Sequence, residues 1–152
     1  MSKRPGWIQA CLITGVLSIL SGCGAPVDDE TRIRETIAEM IAALEAGDVG
    51  DFMDPVAEDF IAGNGGLDRR AMELLVRRER LARDAIHVRR LDTKVRLIGE
   101  GRAAASFRAL ATGGSGVLPD EARFWQVTTG WRLDDGRWRV ISAEWEPALG
   151  NL

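Results

Sequence analysis

Residues 131–142 read WRLDDGRWRVIS, two alternating β-type runs joined at Asp134-Asp135-Gly136. An Asp-Gly pair accepts the positive φ angles that a tight hairpin needs, so this stretch predicts two antiparallel strands, at about 121–133 and 137–146. Working toward the N-terminus, two more long β-type segments fall at about 86–98 and 102–112. Gly99-Glu100-Gly101 turns between them, and a longer loop from Gly113 to Pro119 connects onward. Gly113-Gly114-Ser115-Gly116 lies between strands, with neither the following helix nor the lysine of a phosphate-binding loop, and so reads as a flexible connection.

Upstream of Ile86 the period changes. Ile33, Ile37, Met40, Ile41 and Leu44 recur at helical spacing between Asp29 and Ala46, with Asp28 or Asp29 as N-cap and Gly47 as terminator. A short second helix is expected at Asp48–Met53, ended by Pro55, then a brief strand at Glu58–Ala62. Asn64-Gly65-Gly66 turns the chain, and Asp68 caps a third helix running to about Asp84. Its expected apolar stripe is Ala71, Leu74, Leu75, Leu81, Ala82 and Ala85, interrupted by Arg78. Helices followed by an antiparallel meander make an α+β class, and a strongly bent sheet can wrap the helices as a cone with a pocket at its open end.

Over roughly 29–147 this order resembles the nuclear transport factor 2-like (SnoaL-like) superfamily. The matching residues are Ala46-Gly47-Asp48 with Phe52, Glu58-Asp59-Phe60 before the glycine turn, and the hairpin at 131–142. The resemblance implies a cone of N-terminal helices on a curved, mainly antiparallel sheet. It leaves function open, because such superfamilies include isomerases, dehydratases, binding modules and dimerisation domains. Isomerase members combine a general-base aspartate with an oxyanion-hole tyrosine, and dehydratase members use histidine with aspartate. Tyrosine is absent from this chain, so the usual neutral donor to a developing oxyanion is missing, and a Trp N–H in its place would make a different site.

The N-terminus carries a separate message. Lys3 and Arg4 precede an apolar run from Trp7 to Leu20, about 14 residues against the ~20 needed to span a bilayer. Leu20-Ser21-Gly22-Cys23 follows and resembles a bacterial lipobox. The expectation is a signal peptide over 1–22, a lipidated tether over 23–28 that begins with acylated Cys23, a domain over 29–147 and a tail over 148–152. Multiple acyl chains would anchor it stably in membrane lipid. Gly24 lacks the aspartate associated with inner-membrane retention, which points to the outer membrane facing the periplasm if the host is Gram-negative. The chain has 2 cysteines; Cys11 leaves with the signal and Cys23 is consumed by lipid, so neither a disulfide nor thiol chemistry is expected. Losing Lys3 and Arg4 takes the formal charge from −3 to −5, which gives no electrostatic reason for nucleic acid.

Candidate chemistry is sparse. His87, the only histidine, is either a general base or a solvated strand residue. Strict alternation places Trp138, Val140, Ser142 and Glu144 on one strand face, with Arg139, Ile141, Ala143 and Trp145 on the other. Glu144 beside Trp138 could then act in acid–base work or bind a cation, or else pair with a rim arginine. Arg123, Trp125, Val127, Thr129 and Trp131 share a face that suits a flat or acyl ligand, a core or a dimer surface. Arg78 either reaches an anionic ligand or snorkels to water. The expected ligand contacts are therefore Arg78, Trp125, Trp138 and Glu144. One histidine and no free cysteine argue against a metal, and no cofactor is expected. Two functions follow: a non-catalytic envelope protein binding a small apolar or amphipathic molecule or a partner, itself included, through the sheet; or an isomerase, dehydratase or hydrolase with Glu144 or His87 as base.

Overall fold

The structure, a computed structural model, describes residues 27–63, 66–83, 85–114 and 121–148. Helix α1 spans Asp29–Ala46; the Asp28 carboxylate accepts from Thr31 N, and Gly47 ends the helix at φ 82°. Asp48 caps the short helix α2, Val49–Met53, by accepting from Asp51 N. Strand β1, Val56–Ala62, begins before the expected Glu58, directly after Pro55. A two-residue strand β2, Leu67–Asp68, pairs with it. Helix α3, Arg69–Ala82, starts on the Asp68 cap. Strands β3 (Ala85–Leu97), β4 (Arg102–Gly114), β5 (Glu121–Asp134) and β6 (Arg137–Pro147) form the meander.

The sheet order is β2-β1-β6-β5-β4-β3. The β1–β6 pair is parallel and the rest antiparallel. The β5–β6 turn is as its residues demand, with Asp135 at φ 49° and Gly136 at φ 77°. The core between helices and sheet gathers Ile33, Ile37, Met53, Phe60, Met72, Val76, Phe107, Trp131, Trp138 and Val140. Edge strand β3 is tied to α1 by polar groups, since Val88 N donates to Glu45 Oε1 and Arg90 Nη1 donates to Arg34 O.

Helix α3 presents a different stripe from the expected one. Met72 and Val76 are buried with Leu75 beside them, while Leu74 is 58% and Leu81 90% exposed. The helix is rotated by its anchoring: Asp68 fixes the first turn, and Arg69 reaches back to Val56 O and Met53 O. Arg78 accordingly lies on the solvent side. Arg80 instead lies against Gly47, where a Cβ would come within 2.6 Å of its Nη2.

Across the outer face, Arg132 on β5 reaches over β6 to Asp59 on β1, donating from Nη1 and Nη2 at 2.8 and 3.0 Å, while its Nε donates to Asp134. Hydrogen bonding to Arg132 lowers the pKa of both carboxylates. A depressed carboxylate stabilises the fold above its unfolded pKa of ~4, and that contribution disappears as pH falls through the folded value. Thermal melts of the full chain should therefore drop more steeply on acidification below about pH 4 in the wild type than in Arg132→Gln. Parallel curves would show that this network contributes nothing.

Candidate functional site

A cavity of about 300 Å³ lies between the helices and the concave sheet face, lined by residues of α1, α2, α3 and all long strands. Ile37, Met40, Ile41 and Leu44 come from α1, Phe52 from α2, Met72 and Leu75 from α3, and Phe60, Val88, Phe107, Val127, Trp131 and Trp145 from the sheet. The volume sits at the lower end for small-molecule sites. Its origin is legible in part at Ala109 on β4, which stands among larger lining side chains. The small side chain there leaves space that a large one would fill.

Among the described residues no ionisable side chain lines this cavity, and the one hydroxyl, on Thr129, is already committed: it donates to Ala105 O at 3.3 Å and accepts from Trp131 Nε1 at 2.8 Å. Among the described residues no group of three or more His, Cys, Asp or Glu is arranged to hold a metal ion.

A second cavity of about 480 Å³ continues from the first, sharing Leu44, Leu75, Val88 and Trp145. Trp125, Ile86 and Val76 extend its apolar wall, and Glu79, Arg83 and Arg123 add charge. It forms the mouth of the site.

The expected alternation on β6 requires correction. Trp131 pairs with Val140 and Gly130 with Ser142, so Ile141 is an extra residue, a bulge. Gly130 permits it, because Ser142 Oγ occupies the place a Cβ on residue 130 would take. Beyond the bulge the faces exchange: Ala143 and Trp145 turn into the cavity, while Ser142 and Glu144 turn out. Glu144 thus does not share a face with Trp138. It stands exposed in an outer groove with Gln126, Thr128 and Glu146, and no arginine pairs with it among the described residues.

The other sequence candidates are scattered. His87 is 73% exposed, its Nδ1 4.0 Å from Glu45 Oε1. Arg78 faces solvent on α3. Trp138 is buried, but its Nε1 donates to Asp29 Oδ1 at 2.9 Å, tying β6 to the first turn of α1 outside the apolar cavity. Trp125 does reach the site, at its mouth. The structure brings none of Glu144, His87 and Arg78 to the cavity, so the convergence an enzyme using them requires is not present. Missed from the sequence were the inward turn of Trp145, and Ala109 and Arg83; the small side chain at position 109 was the available signal for the space, and nothing marked the bulge. Cys23 and the lipobox lie outside the described residues.

No family model matches the chain, and no curated protein matches it either. Solved structures do. A candidate scytalone dehydratase from Novosphingobium aromaticivorans superposes with TM-score 0.70 at 15% identity, covering 79% of this chain and 84% of that one. A nuclear transport factor 2-like protein from Cytophaga hutchinsonii gives 0.63 at 17%, covering 80% and 100%. Another, of unknown function, from Pseudomonas putida gives 0.67 at 21%, covering 80% and 88%. At these identities the likeness speaks to architecture alone, and the helices on a six-stranded, mainly antiparallel sheet establish that this chain has the nuclear transport factor 2-like fold.

Proposed function

We propose that this chain is a lipid-anchored envelope protein, acylated at Cys23, whose cone-shaped domain binds a small apolar or amphipathic molecule without transforming it. The observation that carries the binding reading is the 300 Å³ cavity walled by apolar side chains, with its single hydroxyl already hydrogen-bonded. Burial of apolar ligand surface there is favourable at ~25 cal/mol per Å² before the cost of immobilising the ligand. The dehydratase assignment of one structural neighbour would require a proton donor and acceptor at the ligand. Among the described residues the cavity offers neither, and His87 and Glu144 point elsewhere. Pairing with a second copy through the outer sheet face is the other use of this fold, favoured by half-exposed Phe124 and Ile61.

The anchoring reading rests on the order of cations, apolar run, small residues and cysteine at 3–23. Among the described residues no helix is long and apolar enough to cross a membrane. Native mass spectrometry of the protein drawn from its own membrane should find a polypeptide beginning at Cys23, carrying acyl chains and a retained small molecule. A chain still starting at Met1 without acyl groups would sink the anchor. Failure both to retain a molecule and to take up added 1-octanol would sink the binding reading.

A further inference from the structure

We infer that two copies of this chain stack the outer faces of their sheets about a two-fold axis running along the strands between β4 and β5, so that Lys94 of each copy meets Glu144 of the other. This deepens the pairing reading above and is independent of the ligand. Paired positions of an antiparallel ladder carry their side chains on one face, so the registers lay out the outer surface as rows across the sheet. One row runs Lys94, Ser106, Thr128 and Glu144, from β3 to β6. The next holds Arg108, Gln126 and Glu146. Beyond it Leu110 pairs with Phe124, with Arg89 on the other side of Leu110. Charge is thereby sorted by strand: Arg89, Lys94 and Arg96 stand exposed on β3, and Glu144 and Glu146 stand exposed on β6. None of these side chains has an ion pair or hydrogen bond among the described residues, whereas Arg108 is held by Asp92 and is left out of the count. Three strand spacings, ~14 Å, keep the two groups from pairing within one copy.

Charge chooses between the two simple ways of stacking such faces under two-fold symmetry. An axis across the strands lays β3 on the partner's β3, cation on cation. An axis along the strands, between β4 and β5, lays β3 on the partner's β6 and keeps every row opposite itself. Lys94 then faces the partner's Glu144, Ser106 faces the partner's Thr128, and Leu110 covers the partner's Phe124, which is 37% exposed in the single chain. Each contact occurs twice, as a self-complementary interface requires. Sheets packed with their strands aligned stay within ~30° of one another, so the rows remain matched near the axis. Ala104 and Gly130, adjacent in the row beside Ser106 and Thr128, leave room for the faces to approach. Four strands at ~4.8 Å spacing and about 40 Å length present roughly 800 Å², the area that each side of a stable dimer buries.

The test is sedimentation velocity of the full chain in density-matched detergent at about 0.05 M salt, where screening is weak. The wild type is expected to be a dimer that loosens as salt rises to about 0.5 M. Lys94→Glu alone, or Glu144→Lys alone, sets two like-charge contacts in every dimer. Each variant should therefore associate at least about tenfold more weakly, and should regain part of that loss in high salt. An equimolar mixture of the two variants should return to within about threefold of wild-type association, because the mixed dimer restores both opposite-charge contacts. Both positions are exposed, so the circular dichroism of each variant should match that of the wild type. A monomeric wild type would overturn this geometry together with the pairing reading. A wild-type dimer indifferent to salt, variants that leave it as strong, or weakened variants that do not recover on mixing would overturn the geometry and leave the pairing reading standing.

Discussion

Replacing Trp131 by alanine is expected to cost about 4 kcal/mol of folding stability, more than any other tryptophan substitution in the domain. Trp131 is 1% exposed and sits mid-sheet, in register with Ala103 on β4 and Val140 on β6. Its ring borders the cavity and its N–H is held by Thr129. Truncation would thus remove a large buried surface, enlarge a space that already exists, and leave the Thr129 hydroxyl without its donor. Trp145 borders the same cavity but is 37% exposed at the mouth, so Trp145→Ala should cost under about 1 kcal/mol. Urea unfolding of the full chain measures both, with unchanged slope as the check that the comparison is of stabilities. A loss below about 1.5 kcal/mol at Trp131 would show that its ring is not the wedge between helices and sheet.

That contrast between two tryptophans also shows where sequence reading reaches. The strand bearing Trp131 alternates without interruption, so its inward face was legible from residue 123 to 131. So was α1, whose caps and stripe are local features. The face of Trp145 was not legible, since a period-two reading carried through Ile141 assigns every later residue of β6 to the wrong side, Glu144 among them. A bulge depends on the partner strand: it is Gly130, twelve residues earlier in the chain, that admits Ser142. Helix α3 failed for a related reason. Rich in arginine, it has only a narrow apolar stripe, and leucines at 74 and 81 outweighed Met72 and Val76 in the reading. The actual rotation is set by contacts of Arg69 with Met53 and Val56 carbonyls, which lie in other elements. The candidate site suffered most, because it is made where elements meet. Only Trp125 of the residues singled out for ligand contact borders it. The export signal is of the opposite kind, a linear pattern that is read without any tertiary contact.

Ala109→Phe separates a hollow cone from a filled one by pulling stability and binding in opposite directions. Ala109 is 6% exposed, lines the cavity from mid-β4, and stands in register between Arg90 on β3 and Trp125 on β5. Where a core is closely packed, a benzyl group in place of a methyl forces neighbours off their rotamers and costs about 1–3 kcal/mol. Where an empty apolar space adjoins the methyl, the ring gains contacts that the void denied, and stability holds or rises by up to about 1 kcal/mol. The same ring then occupies the ligand's place. Octanol affinity in nanodiscs is expected to fall about a hundredfold, equivalent to ~2.7 kcal/mol, while the urea midpoint stays level or moves up. A destabilised variant that still binds octanol as the wild type does would mean that the alcohol sits elsewhere and that the space beside Ala109 closes in solution. Alanine at this position would then serve close packing of sheet on helix rather than room for a guest.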